Sequence, residues 1–207
     1  MEAVNLIFII TSSILIITPG QDMILVMSRS ISQGRKAGVM TALGVSVGLL
    51  GHTILATLGL GALLLASETL FTIVKIIGAG YLFYLGILLL KSDHSKLTMD
   101  NLPKVSYKRM FIQGALSNLT NPKIAIFFFS YLPQFVVSNG TPASTQLFIL
   151  GITFAIVTFC IKAPVGYISG SLSSYIKARP SVLSRIYKIS GVIFIGLGLK
   201  LAFEKRV

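Results

Sequence analysis

Six long apolar segments dominate this sequence and restrict it to a membrane fold. An α-helix needs about 20 apolar residues to cross the hydrocarbon core of a bilayer. Only 12% of the residues are charged, whereas a soluble domain carries about a quarter. The sequence therefore predicts an all-α integral membrane protein with about six transmembrane helices. The six segments are Asn5–Met27, Ala37–Ala66, Leu70–Leu90, Met110–Leu132, Gln146–Gly166 and Leu183–Phe203.

The basic residues lie in alternate connections between these segments. The connections after the first, third and fifth segments hold most of the Lys and Arg, and those after the second and fourth hold none. Positive charge marks the cytoplasmic loops of membrane proteins, so both chain termini are expected outside. This pattern accounts for most of the net charge of +12, and it makes a nucleic-acid partner the weaker interpretation.

A polar connection over residues 92–107 divides the chain into two halves. We expect one transporter domain, residues 1–207, with pseudo-repeats at 1–91 and 108–207 and a cytoplasmic linker between them. Thr18-Pro19-Gly20 in the first segment has a counterpart in the fourth, Asn121-Pro122-Lys123. Each half holds three segments, so the second would run inverted relative to the first, as in many secondary transporters.

The two proline motifs predict that the first and fourth helices are broken near the middle of the membrane. Proline removes a backbone donor and disrupts the preceding turn. Thr18 and Asn121 suit the N-cap of a new half-helix, and Pro19 and Pro122 suit its first position. Freed carbonyl groups are tolerated in a membrane only against protein or a wet cavity. The alternative interpretation is that both prolines only kink continuous helices.

Charged groups beside the two breaks suggest a site for a zwitterion. Asp22 is the only acid within a predicted span, and such an acid is usually functional. Lys123 lies at the start of the second half-helix, whose positive end attracts a carboxylate. These charges suit an amino acid, although Asp22 and Lys123 could also pair with each other. Lys162, near Pro164, is expected to snorkel towards the cytoplasm or to line an inner vestibule rather than to bind substrate.

Other polar groups near the breaks complete the predicted substrate site. Gln21, Thr18 and Asn121 are expected to orient the substrate by hydrogen bonds, and Gly20 adds flexibility to the first break. In this hypothesis Asp22 exchanges the substrate amino group for a proton from outside. His52 in the second segment either relays that proton or packs as a core residue. The glycine pair Gly44 and Gly48 predicts close approach of another helix near His52, or a homodimer face.

The chain resembles the lysine exporter and homoserine/threonine resistance (LysE/RhtB-type) family of amino-acid efflux proteins. The resemblance covers nearly the whole chain, although Gln21 stands where the family pattern has a second proline. It implies about six spans, the bacterial inner membrane and export driven by proton antiport. Its motifs are Thr18-Pro19-Gly20-Gln21-Asp22-Met23, Gly34-Arg35-Lys36-Ala37-Gly38, Leu43-Gly44 through Gly48 to His52, Gly59-Leu60-Gly61, Gly78-Ala79-Gly80-Tyr81-Leu82-Phe83-Tyr84-Leu85-Gly86, Asn118-Leu119-Thr120-Asn121-Pro122-Lys123 and Phe127-Phe128-Phe129.

Other functional classes find less support in the sequence. An enzyme is not expected, because Asp22 has no second acid within a span and the chain contains no HExxH motif. No cofactor or resident metal is expected, since one acid and one His make a poor metal site. A cation or metal efflux protein, or a passive channel of the same architecture, remains the alternative.

Overall fold

The fold is all α-helical across the part of the chain that the structure describes. This computed structural model describes residues 6–18, 20–60, 68–91, 103–137, 141–178 and 180–203. Within them lie eight α-helices, a π-helical turn at Ala56–Leu60 and a 3-10 turn at Leu132–Phe135. The helices are α1 (Leu6–Ile17), α2 (Gln21–Gln33), α3 (Arg35–Leu55), α4 (Glu68–Lys91), α5 (Tyr107–Leu119), α6 (Pro122–Ser130), α7 (Ala143–Ala178) and α8 (Pro180–Phe203).

Both predicted helix breaks are present. α1 ends at Ile17 and α2 begins at Gln21, with a bend of 57° between their axes; Pro19 itself lies outside the described residues. α5 ends at Leu119 and α6 begins at Pro122. The interpretation of the prolines as kinks in continuous helices is therefore wrong, because neither segment forms one helix.

Helix length and composition identify the membrane-spanning elements. Three stretches are each long and apolar enough to span: Arg35–Gly59, which is α3 with most of the π-helical turn after it, Thr72–Lys91 in α4 and Ala143–Ser169 in α7. α1 and α2 together make a fourth candidate. α5 with α6 occupies the predicted fourth segment, and α8 occupies the sixth. The protein is an all-α membrane protein, and the count of six spans stays a prediction. The predicted fifth segment, Gln146–Gly166, lies inside the 36-residue helix α7, which continues through Pro164 to Ala178.

Glycines bring two helix pairs together in antiparallel fashion. A Cβ atom on Gly38 of α3 would lie 2.6 Å from the carbonyl oxygen of Gly166 in α7, and one on Gly151 would contact the Thr53 side chain. These two contacts show that α3 and α7 run antiparallel. A Cβ on Gly86 of α4 would likewise lie 2.7 Å from the carbonyl oxygen of Gly191 in α8. Small residues permit such close backbone packing in membranes.

The two broken segments also cross in opposite directions. The Lys123 side chain reaches Leu15 in α1, Asp22 in α2 meets Asn118, and Arg29 meets Gln113 further back along α5. First with fourth, second with fifth and third with sixth segments are therefore all antiparallel. Two inverted repeats would produce this arrangement, and the division into pseudo-repeats at 1–91 and 108–207 remains a proposal.

The glycine pair near His52 receives a neighbouring helix within the chain. A Cβ on Gly48 would lie 2.5 Å from the carbonyl oxygen of Ala115 in α5, and one on Gly44 would overlap the backbone of Phe111. α5 therefore packs parallel to α3 at van der Waals distance. This contact confirms the expected close approach of another helix. Because α5 covers Gly44 and Gly48, this face of α3 is not available to a second copy of the chain.

An aromatic cluster fixes α6 against α7. The ring of Phe127 lies 5.0 Å from that of Tyr131 and 5.3 Å from that of Phe154, measured between centroids. Phe128 meets the same Phe154 ring edge-on at 5.4 Å. All four side chains are fully or almost fully buried. Edge-to-face and tilted ring contacts of this kind are favourable, so they fix the C-terminal half of α6 against α7.

Candidate functional site

Asp22 is the centre of a buried polar network beside the first helix break. It lies in the first turn of α2 and is 2% exposed. Its Oδ1 accepts a hydrogen bond from Ser117 Oγ at 3.0 Å, and its Oδ2 accepts one from Asn118 Nδ2 at 2.8 Å. A buried carboxylate requires both a cation and hydrogen-bond donors to offset its lost hydration. The last turn of α5 supplies the donors.

Lys162 supplies the cation. Its Nζ atom lies 3.3 Å from Asp22 Oδ2, and the residue is 4% exposed. The expectation that Lys162 snorkels or lines a vestibule is wrong, because α7 packs against α2 and α3 and buries this side chain. With both charges enclosed, this conformation keeps the ion pair away from solvent.

Lys123 binds the end of α1 instead of Asp22. Its Nζ atom donates hydrogen bonds to the carbonyl oxygens of Thr18 at 3.2 Å and Leu15 at 3.3 Å. These are carbonyls at the C-terminal end of α1, which the break deprives of partners within the helix. The sequence suggested a pairing of Asp22 with Lys123, but Asp22 forms its ion pair with Lys162, which the sequence did not predict. Lys123 nevertheless lies at the break, since a Cβ atom on Gly20 would be 3.2 Å from its Nζ.

Gln21 and Thr18 have different partners at the first break. Gln21 Nε2 donates to the carbonyl oxygen of Ser117 at 3.3 Å, while the Gln21 side chain remains exposed. The Thr18 hydroxyl donates to the Ile14 carbonyl oxygen of its own helix at 2.7 Å. Gln21 therefore bridges the two breaks, and the Thr18 hydroxyl is already engaged within α1. The prediction that Thr18 caps the new half-helix is wrong, because the N-cap residue of α2 is Gly20.

Asn121 and Pro122 start α6 as the sequence predicts. The Asn121 side chain caps the helix by accepting a hydrogen bond from the Lys123 backbone N–H at 3.0 Å. Pro122 takes the first helical position, where its missing N–H costs nothing. The amide Nδ2 of Asn121 is buried and has no partner among the described residues.

His52 supports the network from α3. Its Nε2 lies 3.1 Å from the Asn118 carbonyl oxygen, and a hydrogen bond there requires a proton on Nε2. The imidazole also packs 5.7 Å from the Phe128 ring, between centroids. Its Nδ1 has no partner within the described part of the chain. His52 is thus a packed residue that also touches the residue binding Asp22.

Sequence reasoning missed three members of this network: Ser117, Asn118 and Lys162. A signal existed for the lysine, because the only acid in a span needs a cation and only Lys123 and Lys162 lie deep in spans. No comparable signal marked Ser117, since serine is common in membrane helices. The described residues contain no cluster of three or more His, Cys, Asp or Glu side chains that could hold a metal ion.

A second buried polar cluster joins α2 to the start of α5. Arg29 is 3% exposed and donates to the carbonyl oxygen of Pro103 at 2.8 Å and to Gln113 Oε1 at 2.7 Å. Gln33 exchanges two hydrogen bonds of 3.0 Å with the backbone of Val105. The cluster closes one end of the crossing between the two broken segments, and Arg29 is a structural contact rather than a free loop charge.

Comparison with known proteins gives one consistent family. A family model described as LysE type translocator matches residues 13–205. The membrane protein YrhP of Bacillus subtilis (strain 168) is 35% identical over 206 residues, covering 93% of this chain and 95% of that protein. The homoserine/homoserine lactone efflux protein of Salmonella typhimurium is 31% identical over 200 residues, covering 96% of each chain. No solved structure matches.

Proposed function

This chain belongs to the LysE type translocator family, and from that premise we propose that it exports an amino acid or a close derivative in exchange for protons. The proposed location is the bacterial inner membrane, with both termini outside and the basic loops in the cytoplasm. The efflux name of the Salmonella relative supports this direction of transport. The observation that carries the proposal is the buried Asp22 carboxylate at a helix break, with two lysine ammonium groups beside it.

Asp22 is the proposed partner of the substrate amino group. An ammonium is a strong hydrogen-bond donor to a carboxylate. In the closed conformation Lys162 already occupies this position, at 3.3 Å from Oδ2. A substrate ammonium arriving at Asp22 would therefore replace one primary ammonium by another, with Ser117 and Asn118 holding the carboxylate in place.

Lys123 and the start of α2 are the proposed partners of the substrate carboxylate. The N-cap residue of α2 is Gly20, which has no side chain to cap the helix, so the first backbone N–H groups of α2 remain available to an anion. Lys123 Nζ lies directly beside Gly20. Asp22 is two residues further along, roughly 3 Å at the rise of an α-helix. An α-amino acid, whose two charged groups are separated by one carbon, fits this spacing.

Unpaired polar groups favour a neutral, polar side chain on the substrate. Asn118 Oδ1 and Asn121 Nδ2 are buried and lack partners among the described residues. Buried polar groups are normally hydrogen-bonded, so a hydroxyl on the substrate would satisfy them. This chemistry fits homoserine, the compound in the name of the Salmonella relative. A second cationic group would find no further acid within the predicted spans.

Transport would proceed by alternating access around the two breaks. The Arg29–Gln33 cluster would have to open for substrate to reach Asp22 from the cytoplasm, since it joins α2 to α5 on the basic side of the membrane. Proton entry would drive the cycle back. His52, bound to Asn118, would transmit changes at Asp22 to α3.

The decisive experiment compares wild type with Asp22→Asn in proteoliposomes. We expect wild type to exchange labelled homoserine across the membrane and to accumulate it when an opposing proton gradient is imposed. Asp22→Asn keeps the shape but removes the charge, so both activities should be lost at equal protein abundance. Asp93→Asn in the polar connection is the matched control and should behave as wild type. Wild-type rates from Asp22→Asn would overturn the proposed role.

A metabolite profile then identifies the substrate in cells. Overexpressing cells should contain less of the exported compound than deletion cells, and they should tolerate more of it in the medium. If no amino acid or derivative changes between the two strains, the proposed substrate class is wrong.

A further inference from the structure

Lys162 lies where the proposed function requires a substrate amino group. Its Nζ atom contacts Asp22 Oδ2, the same oxygen that accepts from Asn118. The lysine side chain ends in a primary alkyl ammonium, which is chemically equivalent to the ammonium of an amino acid. A substrate and Lys162 therefore compete for one carboxylate.

We propose that Lys162 is a built-in substitute for the substrate ammonium and the carrier of the countertransported proton. This inference rests on the proposed function and names the group that couples export to proton entry. In this scheme Lys162, and not Asp22, carries the proton. Asp22 remains an anion throughout the cycle and binds the substrate and Lys162 in turn.

The contacts of Lys162 explain why it can exchange. Among the described residues its ammonium has one hydrogen-bond partner, Asp22, although an ammonium has three donors. Asp22 by contrast is also held by Ser117 and Asn118. The carboxylate is thus fixed, while the lysine on its flexible stem can leave.

The charges around Lys162 explain why it would release its proton. Asp22 from α2 attracts it, and Lys123 from α6 repels it. Among the other ionisable side chains on the two flanking helices, Arg29 binds Pro103 and Gln113, Arg35 contacts the Tyr167 ring, and His52 binds the Asn118 backbone. Lys36 is exposed at the start of α3. Once the substrate takes Asp22, the buried ammonium has no anion beside it. An unpaired buried charge is unfavourable, and lysine, unlike arginine, can give up a proton.

The proton balance of the cycle follows from this exchange. Substrate from the cytoplasm binds Asp22, an N–H bond of Lys162 breaks, and the proton passes to water on the cytoplasmic side. After the substrate leaves outside, the neutral amine takes a proton from external water and binds Asp22 again. One substrate leaves and one proton enters in each turn. A zwitterionic substrate carries no net charge, so the cycle moves one positive charge inwards.

The test separates substrate exchange from proton coupling in proteoliposomes with labelled homoserine. Lys162→Gln keeps Asp22 free for substrate but has no proton to exchange, so homoserine–homoserine exchange should persist while accumulation driven by a proton gradient is lost. Lys162→Arg keeps a permanent cation on Asp22, so both activities should fall to the level of empty liposomes. Lys188→Gln, the same change at an exposed lysine of α8, should match wild type.

The opposite outcomes each overturn the proposal. Proton-driven accumulation by Lys162→Gln would show that another group carries the proton. A fully active Lys162→Arg would show that the ion pair serves only to hold the fold. Because Lys162→Arg retains the charge pairing with Asp22, it remains informative even if Lys162→Gln does not fold. If wild type transports neither homoserine nor any protein amino acid, the proposed function itself fails and this role of Lys162 falls with it.

Discussion

The two helix breaks meet each other but are stabilised in different ways. The second break is capped locally, because Asn121 accepts the N–H of Lys123 at 3.0 Å and Pro122 fills the first helical position. The first break has no local cap: Gly20 precedes α2 without a side chain. The carbonyl oxygens at the end of α1 are instead satisfied by Lys123, a residue of the other break.

This difference indicates which break responds to substrate. The start of α6 is capped by its own residues, and the helix packs through Phe127 and Phe128 against Phe154. The start of α2 depends on a lysine that a substrate carboxylate can also bind. We therefore expect the first break to rearrange during transport and the second to act as the fixed support. Substitutions at the two breaks test this contrast.

Of the substitutions at the two breaks, Lys123→Ala should have the largest effect on transport and on stability. It leaves two carbonyl acceptors of the first break without their donor, at about 1–3 kcal/mol for each buried unsatisfied group. It also removes the partner of the substrate carboxylate, and a loss of about 1.4 kcal/mol in binding already lowers affinity roughly tenfold. Homoserine exchange in proteoliposomes should fall by at least that factor, and thermal unfolding in detergent should begin at lower temperature.

Lys188→Ala makes the same change at an exposed lysine and serves as the control for Lys123→Ala. Equal transport by the two variants would show that Lys123 has no part in substrate binding. Unchanged thermal stability of Lys123→Ala would show that the first break does not depend on the second.

Asn121→Ala should lower stability by about 1 kcal/mol, the usual cost of losing an N-cap side chain. Asn121→Ser retains a capping oxygen and should recover most of this loss. Thermal unfolding of both variants checks the prediction. A self-contained second break also implies that Asn121→Ala leaves the Lys123 contacts with α1 intact, so substrate exchange should fall much less than in Lys123→Ala.

Gln21→Pro should make the first break more rigid at small cost. Position 21 is the first residue of α2, which accepts proline, and Gly20 has the extended conformation that precedes proline readily, with φ −156° and ψ −171°. The change removes the 3.3 Å hydrogen bond to Ser117. Proline also lowers the conformational entropy of the unfolded chain, which stabilises the folded protein by about 0.4–1 kcal/mol. We expect slightly higher thermal stability together with slower exchange, and faster exchange would argue against movement at this break.

Thr18→Val should have the smallest effect. Its hydroxyl donates only within α1, to the Ile14 carbonyl oxygen, and valine has nearly the same shape. The Thr18 backbone carbonyl, which binds Lys123, is unchanged. Exchange rates and thermal stability should both stay close to wild type, and a marked loss of transport would show that the hydroxyl reaches the substrate.

Much of the fold could be predicted from the sequence. The apolar segments, the proline motifs and the capping residue Asn121 act locally, so they set helix positions and helix breaks without knowledge of the tertiary structure. The bounds were less certain. The predicted fifth segment, Gln146–Gly166, covers the apolar part of α7 but not its full length, because the helix continues to Ala178.

The partner of Asp22 could not be predicted in the same way. Lys123 lies beside a proline break and therefore suggested a functional role, whereas Lys162 was expected to snorkel towards the cytoplasm or to line an inner vestibule. Only helix packing distinguishes them, because α7 crosses α2 and places Lys162 against Asp22. Ser117 and Asn118 became part of the site for the same reason, through the antiparallel course of α2 and α5.

The sequence by itself determined that this chain is an α-helical membrane protein with two interrupted helices and one buried acid, since hydrophobic length, proline and charge act through nearest neighbours along the chain. The tertiary structure alone decided which cation balances that acid and which break is left without its own cap. A charge buried in a membrane takes its partner from whatever helix packs against it, and that choice is made by contacts between residues 140 positions apart.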